Sequence, residues 1–162
     1  MSTDDIQICP ATVADVRIIL DLIRGLAEYE KLSHEVVASE ELLREHLFGP
    51  KPAAEVRIAW WGNDAVGFAL YFHNFSTFLS RPGIYLEDIF VRPEYRGRGI
   101  GKALLKEVAR VAAERKCGRL EWSVLDWNEL AIKFHQSLGA KPMSEWTIYR
   151  MTGNAIEKLA ED

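Results

Sequence analysis

The residues best suited to chemistry lie in one stretch, LEDIFVRPEYRGRGIGKALL, from Leu86 to Leu105. Its apolar run IFV breaks at Pro93, and a basic, glycine-rich turn (RGRGIG, Arg96 to Gly101) leads directly into an amphipathic helix. Backbone N–H groups at a helix start, the helix dipole and nearby positive charges attract anions. Gly97 and Gly99 let a ligand approach the backbone closely. The pattern therefore predicts a phosphate-binding loop.

The spacing of its glycines separates this loop from two common phosphate motifs. The dinucleotide fingerprint G-x-G-x-x-G fails because Lys102 stands three residues after Gly99. The Walker pattern fails because Arg96 replaces its first glycine and Ala103 replaces the Ser or Thr that would hold magnesium. The pattern that remains is R-x-x-G-x-G, ending at Gly101. A glycine-rich turn without a ligand is the alternative, and the basic side chains weigh against it.

Periodicity and turn residues predict the elements that position this loop. Helical spacing of apolar residues predicts helices at residues 16–29, 39–47, 101–116 and 129–138. Apolar or alternating runs predict strands at residues 6–9, 56–61, 65–75, 84–91, 120–125 and 146–151, and the charged tail reads as weakly helical. Early hairpins followed by a βαβ unit predict an α/β (α+β) chain with a mixed sheet and helices on its faces.

Composition narrows the class of protein. A chain of 162 residues with 48% hydrophobic residues predicts a single domain, residues 1–162, with a real core. A net charge of −4 argues against a nucleic-acid partner. Cys9 and Cys117 lie far apart, which predicts free thiols in a reducing compartment. Neither a signal peptide nor an apolar run of roughly 20 residues is present, so we expect a cytoplasmic protein without a membrane partner.

The R-x-x-G-x-G loop resembles motif A of the GCN5-related N-acetyltransferases (GNAT). Asn128, Ala131 and Phe134, followed by Leu-Gly-Ala, resemble the second CoA-facing helix of that family. The resemblance covers nearly the whole chain and is closest to the spermidine/spermine (diamine) and thialysine branch. The matching segments are LAEYE ending at Glu30, YLEDIFV at 85–91, YRGRGIG at 95–101 and DWNELAIKFHQSLGA at 126–140.

This resemblance implies a fold and an activity. The fold is a mostly antiparallel mixed sheet of six to seven strands, with helices on both faces and a splayed parallel strand pair that binds CoA. The activity is acetyl transfer from acetyl-CoA to a primary amine of a small cationic substrate: a polyamine, a diamine or a thialysine-like amino acid. Direct transfer in a ternary complex is expected, because no cysteine lies in the motif. A homodimer is implied as well, and no metal is expected.

The resemblance also implies the cofactor contacts. These are Ile89, Phe90, Val91, Arg96, Gly97, Arg98, Gly99, Ile100, Gly101, Lys102, Asn128, Ala131 and Phe134. Ile89 and Val91 would act through backbone groups, since their side chains alone are typical of a core. Asn128 is also a strong helix N-cap, and the two roles are compatible.

The substrate contacts follow from the same resemblance. Glu87 would meet the amine and serve as a water-mediated base, while Tyr29, Glu30 and Trp146 would bind the substrate. Alternation along the strand predicts that Glu87 and its neighbour Asp88 lie on opposite faces. A structural or functional role for Asp88 stays open.

His135 departs from the branch, which carries a tyrosine after the phenylalanine to protonate the departing thiolate. His135 could be the acid in altered form, could position the thioester sulfur, or could mark a weakened transferase. The alternatives for the whole chain are therefore acetylation of another amine (a protein N-terminus, a lysine or an antibiotic) and a CoA-binding sensor without turnover.

Overall fold

A mixed sheet forms the centre of the computed structural model, which describes residues 5–161. Five strands lie side by side in chain order: β1 (Ile6–Pro10), β2 (Glu55–Trp61), β3 (Asp64–Ser76), β4 (Arg81–Val91) and β5 (Leu120–Trp122). The first four strands pair antiparallel, and β5 runs parallel to β4. The predicted mixed, mostly antiparallel sheet is confirmed.

The number of strands is a correction, because residues 5–161 contain five strands instead of six to seven. The strand predicted at 146–151 does not form, and its apolar side chains are exposed, Trp146 at 77% and Ile148 at 71%. Cross-strand pairs stabilise a strand, so an alternating pattern that pairs with no other strand does not become one. The last strand ends at Trp122 instead of residue 125.

Within residues 5–123, helices lie on both faces of the sheet, as predicted. The helices are α1 (Val16–Tyr29), α2 (Glu40–Phe48), α3 (Ile100–Glu114), α4 (Glu129–Ser137) and α5 (Asn154–Glu161). Residues of α1 and α2 form one core cluster with Ile58 and Phe68. On the opposite face, Arg57 Nε donates to Glu107 Oε1 of α3 at 3.3 Å. Because neighbouring strand residues point to opposite faces, α3 lies across the sheet from α1 and α2.

Local capping sets where two helices begin. Ahead of α1, Asp15 Oδ2 accepts hydrogen bonds from the backbone N–H of Thr12 at 2.8 Å and from its hydroxyl at 3.1 Å. At α2, the Ser39 hydroxyl accepts from the backbone N–H of Leu42 at 3.2 Å, and the helix stops before Gly49. These caps satisfy donors that a helix start leaves without an intrahelical partner.

The chain groups into two compact units, one up to Ser123 and one from Val124 onward. The first unit holds the sheet and α1 to α3, and the second holds α4 and α5. A single domain over residues 1–162 stays a prediction, and residues 1–4 and 162 lie outside the described part.

Candidate functional site

Strand β4 carries a β-bulge at Glu87. The register joins Leu70 to Asp88 and Tyr71 to Leu86, so Glu87 has no partner on β3. A bulge adds one residue to a strand, bends it and changes the direction of the side chains beside it. The predicted acidic pair therefore lies at the one irregular point in the pairing of β3 with β4.

This bulge interrupts the alternation on which the prediction of opposite faces for Glu87 and Asp88 depends. Asp88 lies opposite Leu70, which packs against the core cluster of α1 and α2. Tyr85 lies opposite Phe72, two residues from Leu70 and so on that same face. Glu87, between Leu86 and Asp88, is the residue without a partner on β3. The extra residue breaks the alternation of the strand, and Asp88 lies on the α1 side of the sheet.

Asp88 has the most strongly perturbed acidity in this region. Burial, and after it the charges of Glu87 and Glu30, together raise its pKa from 3.8 to about 7, because a buried site and nearby like charges both oppose ionisation. Glu30, at the end of α1, is half-buried, and burial raises its pKa as well. Three carboxyls from two elements thus form one negatively charged, partly desolvated group, which suits a cation.

A glycine in α1 allows the helix to approach β4 closely. A Cβ atom at Gly25 would lie 2.9 Å from Cε1 of Phe90, so a larger residue would push the helix away. Tyr29 and Glu30 follow one turn later, and the half-buried Tyr29 packs against the core cluster. The structure therefore brings these two predicted substrate residues to the same region as Asp88, while their role in binding stays a prediction.

The glycine loop adopts the backbone that its sequence predicts. After a single 3₁₀ turn at Pro93–Tyr95, Gly97 and Gly99 take φ angles of +75° and +79°. Side chains rarely adopt these angles. A Cβ atom built on either glycine would meet nothing within 4 Å, so the backbone is open to a ligand from that side.

Helix α3 begins at this loop with its first N–H groups uncapped by a side chain. Gly99 is the N-cap, and the first intrahelical bond joins the N–H of Ala103 to the carbonyl of Gly99 at 2.9 Å. The N–H groups of Ile100, Gly101 and Lys102 therefore have no acceptor within the helix. Ile100 is buried and anchors the turn, whereas Lys102 is exposed. This arrangement can bind an anion.

Both arginines of the loop stack on aromatic rings. The Arg96 guanidinium lies 4.2 Å from the centroid of the Tyr29 ring, and its Nε donates to the Val91 carbonyl at 3.0 Å. The Arg98 guanidinium lies 5.3 Å from the Trp61 ring and 5.5 Å from the Tyr95 ring. The sequence pattern gave no signal for these contacts.

One edge of β4 is free of β5 near the bulge. Pairing with β5 covers residues 84–86, and no strand within residues 5–161 pairs with that edge at 87–91. The hydroxyls of Tyr85 and Ser123 lie 2.6 Å apart next to the last pair. Phe90 is buried in the core, whereas Ile89 and Val91 are half-buried. The parallel pairing therefore ends one residue before the bulge.

The second unit carries the remaining predicted residues. Asn128 caps α4, since its Oδ1 accepts from the backbone N–H of Ala131 at 3.2 Å. The rings of Phe134 and His135 have centroids 5.5 Å apart, and burial lowers the pKa of His135 below its usual 6.5. Trp146 is largely exposed. The cap is confirmed, and contacts of these residues with a cofactor or substrate stay predictions.

Other kinds of site have little support in the described part. Within residues 5–161, no three side chains of His, Cys, Asp or Glu are grouped so that they could hold a metal ion. No helix in that range is long and apolar enough to cross a membrane. Cys9 and Cys117 are free thiols.

Comparison with known families settles what kind of protein carries this site. The model of the acetyltransferase (GNAT) family matches residues 23–140, which contain the glycine loop, the bulge and α4. The chain belongs to the acetyltransferase (GNAT) family. The predicted family and the predicted N-acetyltransferase activity are thereby confirmed.

Individual relatives support the same branch that the sequence motifs indicate. A thialysine N-epsilon-acetyltransferase from Bos taurus is 45% identical, covering 96% of this chain and 97% of the relative. A human spermidine/spermine N(1)-acetyltransferase-like protein 1 is 31% identical, over 98% of this chain and 24% of that longer protein. A solved integron cassette protein of V. cholerae has a TM-score of 0.79 at 30% identity, over 98% and 99% of the two chains.

Two features of this GNAT site escaped the sequence motifs. The sequence left the role of Asp88 open. The only signal for it was the position of two adjacent carboxyls before an apolar run. The contact of Arg96 with Tyr29 joins residues 67 positions apart in the chain, and no local pattern reports it. Both depend on how α1 packs against β4.

Proposed function

We propose that this chain transfers the acetyl group of acetyl-CoA to a primary amine of a small cationic substrate: a polyamine, a diamine or a thialysine-like amino acid. The observation that carries the proposal is the group of carboxyls formed by Glu30, Glu87 and Asp88 on the strand and helix beside the glycine loop. A partly desolvated group of negative charges favours an ammonium ion. The names of the relatives point to the same class of substrate.

The glycine loop fits the pyrophosphate of CoA. Its open glycines and the free N–H groups at the start of α3 would contact the phosphate oxygens. Positive side chains of Arg96, Arg98 and Lys102 add attraction. The proposed contacts in this segment are therefore Arg96, Gly97, Arg98, Gly99, Ile100, Gly101 and Lys102.

The free edge of β4 fits the pantetheine arm and the acetyl group. Acetyl-CoA, when bound, supplies an acetyl group as a thioester that an amine can attack. Backbone groups of Ile89 and Val91 would orient the arm, and a backbone N–H would stabilise negative charge on the acetyl oxygen. Phe90, buried in the core, keeps this strand in place. Asn128, Ala131 and Phe134 of the second unit are the further proposed contacts.

The acceptor amine is proposed to lie against the carboxyls. Glu87 is exposed and meets the ammonium group, Glu30 and Tyr29 contact the distal part of the substrate, and Trp146 adds an aromatic contact. An alkylammonium has a pKa of about 10.4, so it must lose a proton before it can attack. We propose that Glu87 and Asp88, as one coupled pair, accept this proton directly or through a water molecule.

The pKa of Asp88 suits this proton transfer. A base with a pKa of about 7 is partly ionised at neutral pH, so it can accept a proton. Its affinity for that proton is also higher than that of an ordinary carboxylate. In the transfer, the amine nitrogen bonds to the acetyl carbon as the carbon–sulfur bond breaks. The amine proton passes to the pair, and the thiolate leaves.

His135 is proposed to orient the thioester sulfur. Because burial lowers the pKa of its ring, His135 is neutral at pH 7 and is a poor source of an imidazolium proton. A neutral imidazole still donates one N–H hydrogen bond. Among the roles open for His135, positioning is the one that its acidity favours.

Assembly and location complete the proposal. We propose a homodimer, supported by exposed apolar side chains in the second unit at residues 143–159. We also propose a cytoplasmic location, which is consistent with the free thiols of Cys9 and Cys117.

A panel of amines tests the proposed activity. Purified protein is mixed with acetyl-CoA and with spermidine, putrescine, thialysine, ornithine, an N-terminal peptide or an aminoglycoside, and release of free thiol is followed. We expect turnover with the small cationic amines and little with the peptide. Binding of acetyl-CoA without thiol release from any amine would contradict the proposal and favour a sensor.

The variant Glu30→Gln tests the acceptor site in the same assay. Loss of one charge from the carboxyl group should raise the KM for the diamine by a few fold while the KM for acetyl-CoA stays constant. Glu28→Gln is a matched control, because Glu28 lies exposed on the same helix. An unchanged diamine KM in Glu30→Gln would remove Glu30 from the site.

A further inference from the structure

One side chain joins the glycine loop to the end of α1. The Arg96 guanidinium lies 4.2 Å from the Tyr29 ring centroid and 5.7 Å from the Phe90 ring centroid. Its Nε donates to the Val91 carbonyl, the last residue of β4. Arg96 therefore contacts the loop, the strand and the helix end that precedes Glu30.

We propose that Arg96 is a positioning residue for the amine: its guanidinium holds the Tyr29 ring and thereby the end of α1 that carries Glu30. This inference rests on the proposed function, and it assigns Arg96 a task on the acceptor side in addition to its proposed phosphate contact.

The guanidinium group can serve both sides at once because it has distinct binding surfaces. Its Cζ atom lies over the Tyr29 ring, and its Nε–H is directed to the Val91 carbonyl. The terminal amino groups supply four further N–H donors that can reach a phosphate in the fork geometry of arginine. A lysine has neither the flat face nor the fork, so it would keep the charge and lose the stacking.

The contact lies at the end of α1. The helix ends at Tyr29, and Lys31 directly after Glu30 takes a φ of +62°, so the chain leaves the helix within two residues. Tyr29 is half-buried, it packs against the core cluster, and the arginine lies over its ring. Fixing the ring also fixes the backbone of the next residue, Glu30, whose carboxyl acts on Asp88.

The test measures the effect of Arg96→Lys in three backgrounds: wild type, Tyr29→Phe and Tyr29→Leu. Thialysine and spermidine serve as acceptors, and the acceptor KM is measured at saturating acetyl-CoA. A cation–π contact at an exposed site implies a rise of about 2- to 5-fold in wild type. We expect the same rise in Tyr29→Phe, which keeps the ring, and none in Tyr29→Leu.

Comparing backgrounds isolates the contact from any direct role of Tyr29, because each effect of Arg96→Lys is measured with residue 29 held constant. An equal effect in all three backgrounds would show that Arg96 does not act through the Tyr29 ring, and a change confined to the KM for acetyl-CoA would show that it acts on the phosphate alone. Such a result overturns this inference and leaves the proposed function intact. If wild-type protein acetylated none of the amines, both would fail together.

Discussion

At the scale of single residues, the half-buried carboxyl of Asp88 connects substrate binding to pH. Burial together with the charges of Glu87 and Glu30 keeps the folded protein protonated at Asp88 up to a pH of about 7. An ammonium ion placed beside this group would favour its ionised form and lower its pKa. Binding of a cationic amine and ionisation of Asp88 should therefore support each other.

The same raised pKa makes a prediction about stability. Between pH 4 and 7 the folded state keeps a proton on Asp88 that the unfolded state has lost, so ionisation of this group opposes folding as the pH rises. Asp88→Asn removes that titration. We expect the melting temperature of Asp88→Asn, relative to wild type, to rise between pH 4 and pH 8, as measured by calorimetry at both values.

Glu87→Gln is the control for this prediction. Removal of one neighbouring charge lowers the pKa of Asp88, so the pH dependence should shrink without disappearing. A melting-temperature difference between Asp88→Asn and wild type that did not change with pH would show that Asp88 does not titrate in this range.

At the scale of elements, the start of α3 depends on the backbone freedom of its N-cap. Gly99 has a φ of +79° and open space where a Cβ atom would stand. Gly62, in the turn between β2 and β3, has a φ of +59° and open space as well. The two glycines share their conformation, and only Gly99 lies at the proposed phosphate site.

Alanine substitutions at these two glycines should separate an effect on protein stability from an effect on cofactor affinity. Alanine at either glycine should destabilise the fold by about 1 kcal/mol, because the left-handed conformation is costly for residues with a Cβ atom. Only Gly99→Ala should also raise the KM for acetyl-CoA, since its methyl group would occupy the space proposed for the phosphates. Equal KM values in Gly99→Ala and Gly62→Ala would remove the phosphate site from this loop.

At the scale of the whole molecule, the second unit carries many exposed apolar side chains. The large exposed apolar residues after α4 are Leu138, Met143, Trp146, Ile148, Tyr149, Met151, Ile156 and Leu159. Large exposed apolar patches on proteins mark interaction sites, and this segment supplies many of the side chains that could form one. A second copy of the chain is the partner that the proposed homodimer supplies.

Charge substitution in this segment tests the homodimer. Ile148→Asp, at a residue 71% exposed, should produce monomers in sedimentation experiments under conditions where the wild type is a dimer. Val37→Asp, at a residue 86% exposed in the first unit, should leave the dimer intact. A wild-type chain that sediments as a monomer at all concentrations would contradict the proposal.

Whether a part of the fold could be predicted depends on how far apart in the chain the residues that determine it are. The Thr12–Asp15 and Asn128 caps, the end of α2 at Gly49 and the glycine loop before α3 were predictable, because each depends on residues within a few positions. The segment 146–151 has the alternation of a strand and still forms none, because a strand also needs a neighbour to pair with.

The sequence by itself determined the family, the loop and the acidic segment that faces the substrate in our proposal, since motif residues at fixed spacing carry that information. Tertiary structure alone decided that Glu87 forms a bulge, that Asp88 lies on the α1 side of the sheet with a pKa raised to about 7, and that Arg96 lies over the Tyr29 ring. These properties arise where α1, β3 and β4 meet. Burial, register and charge proximity there depend on residues distant in the chain, which no local pattern encodes.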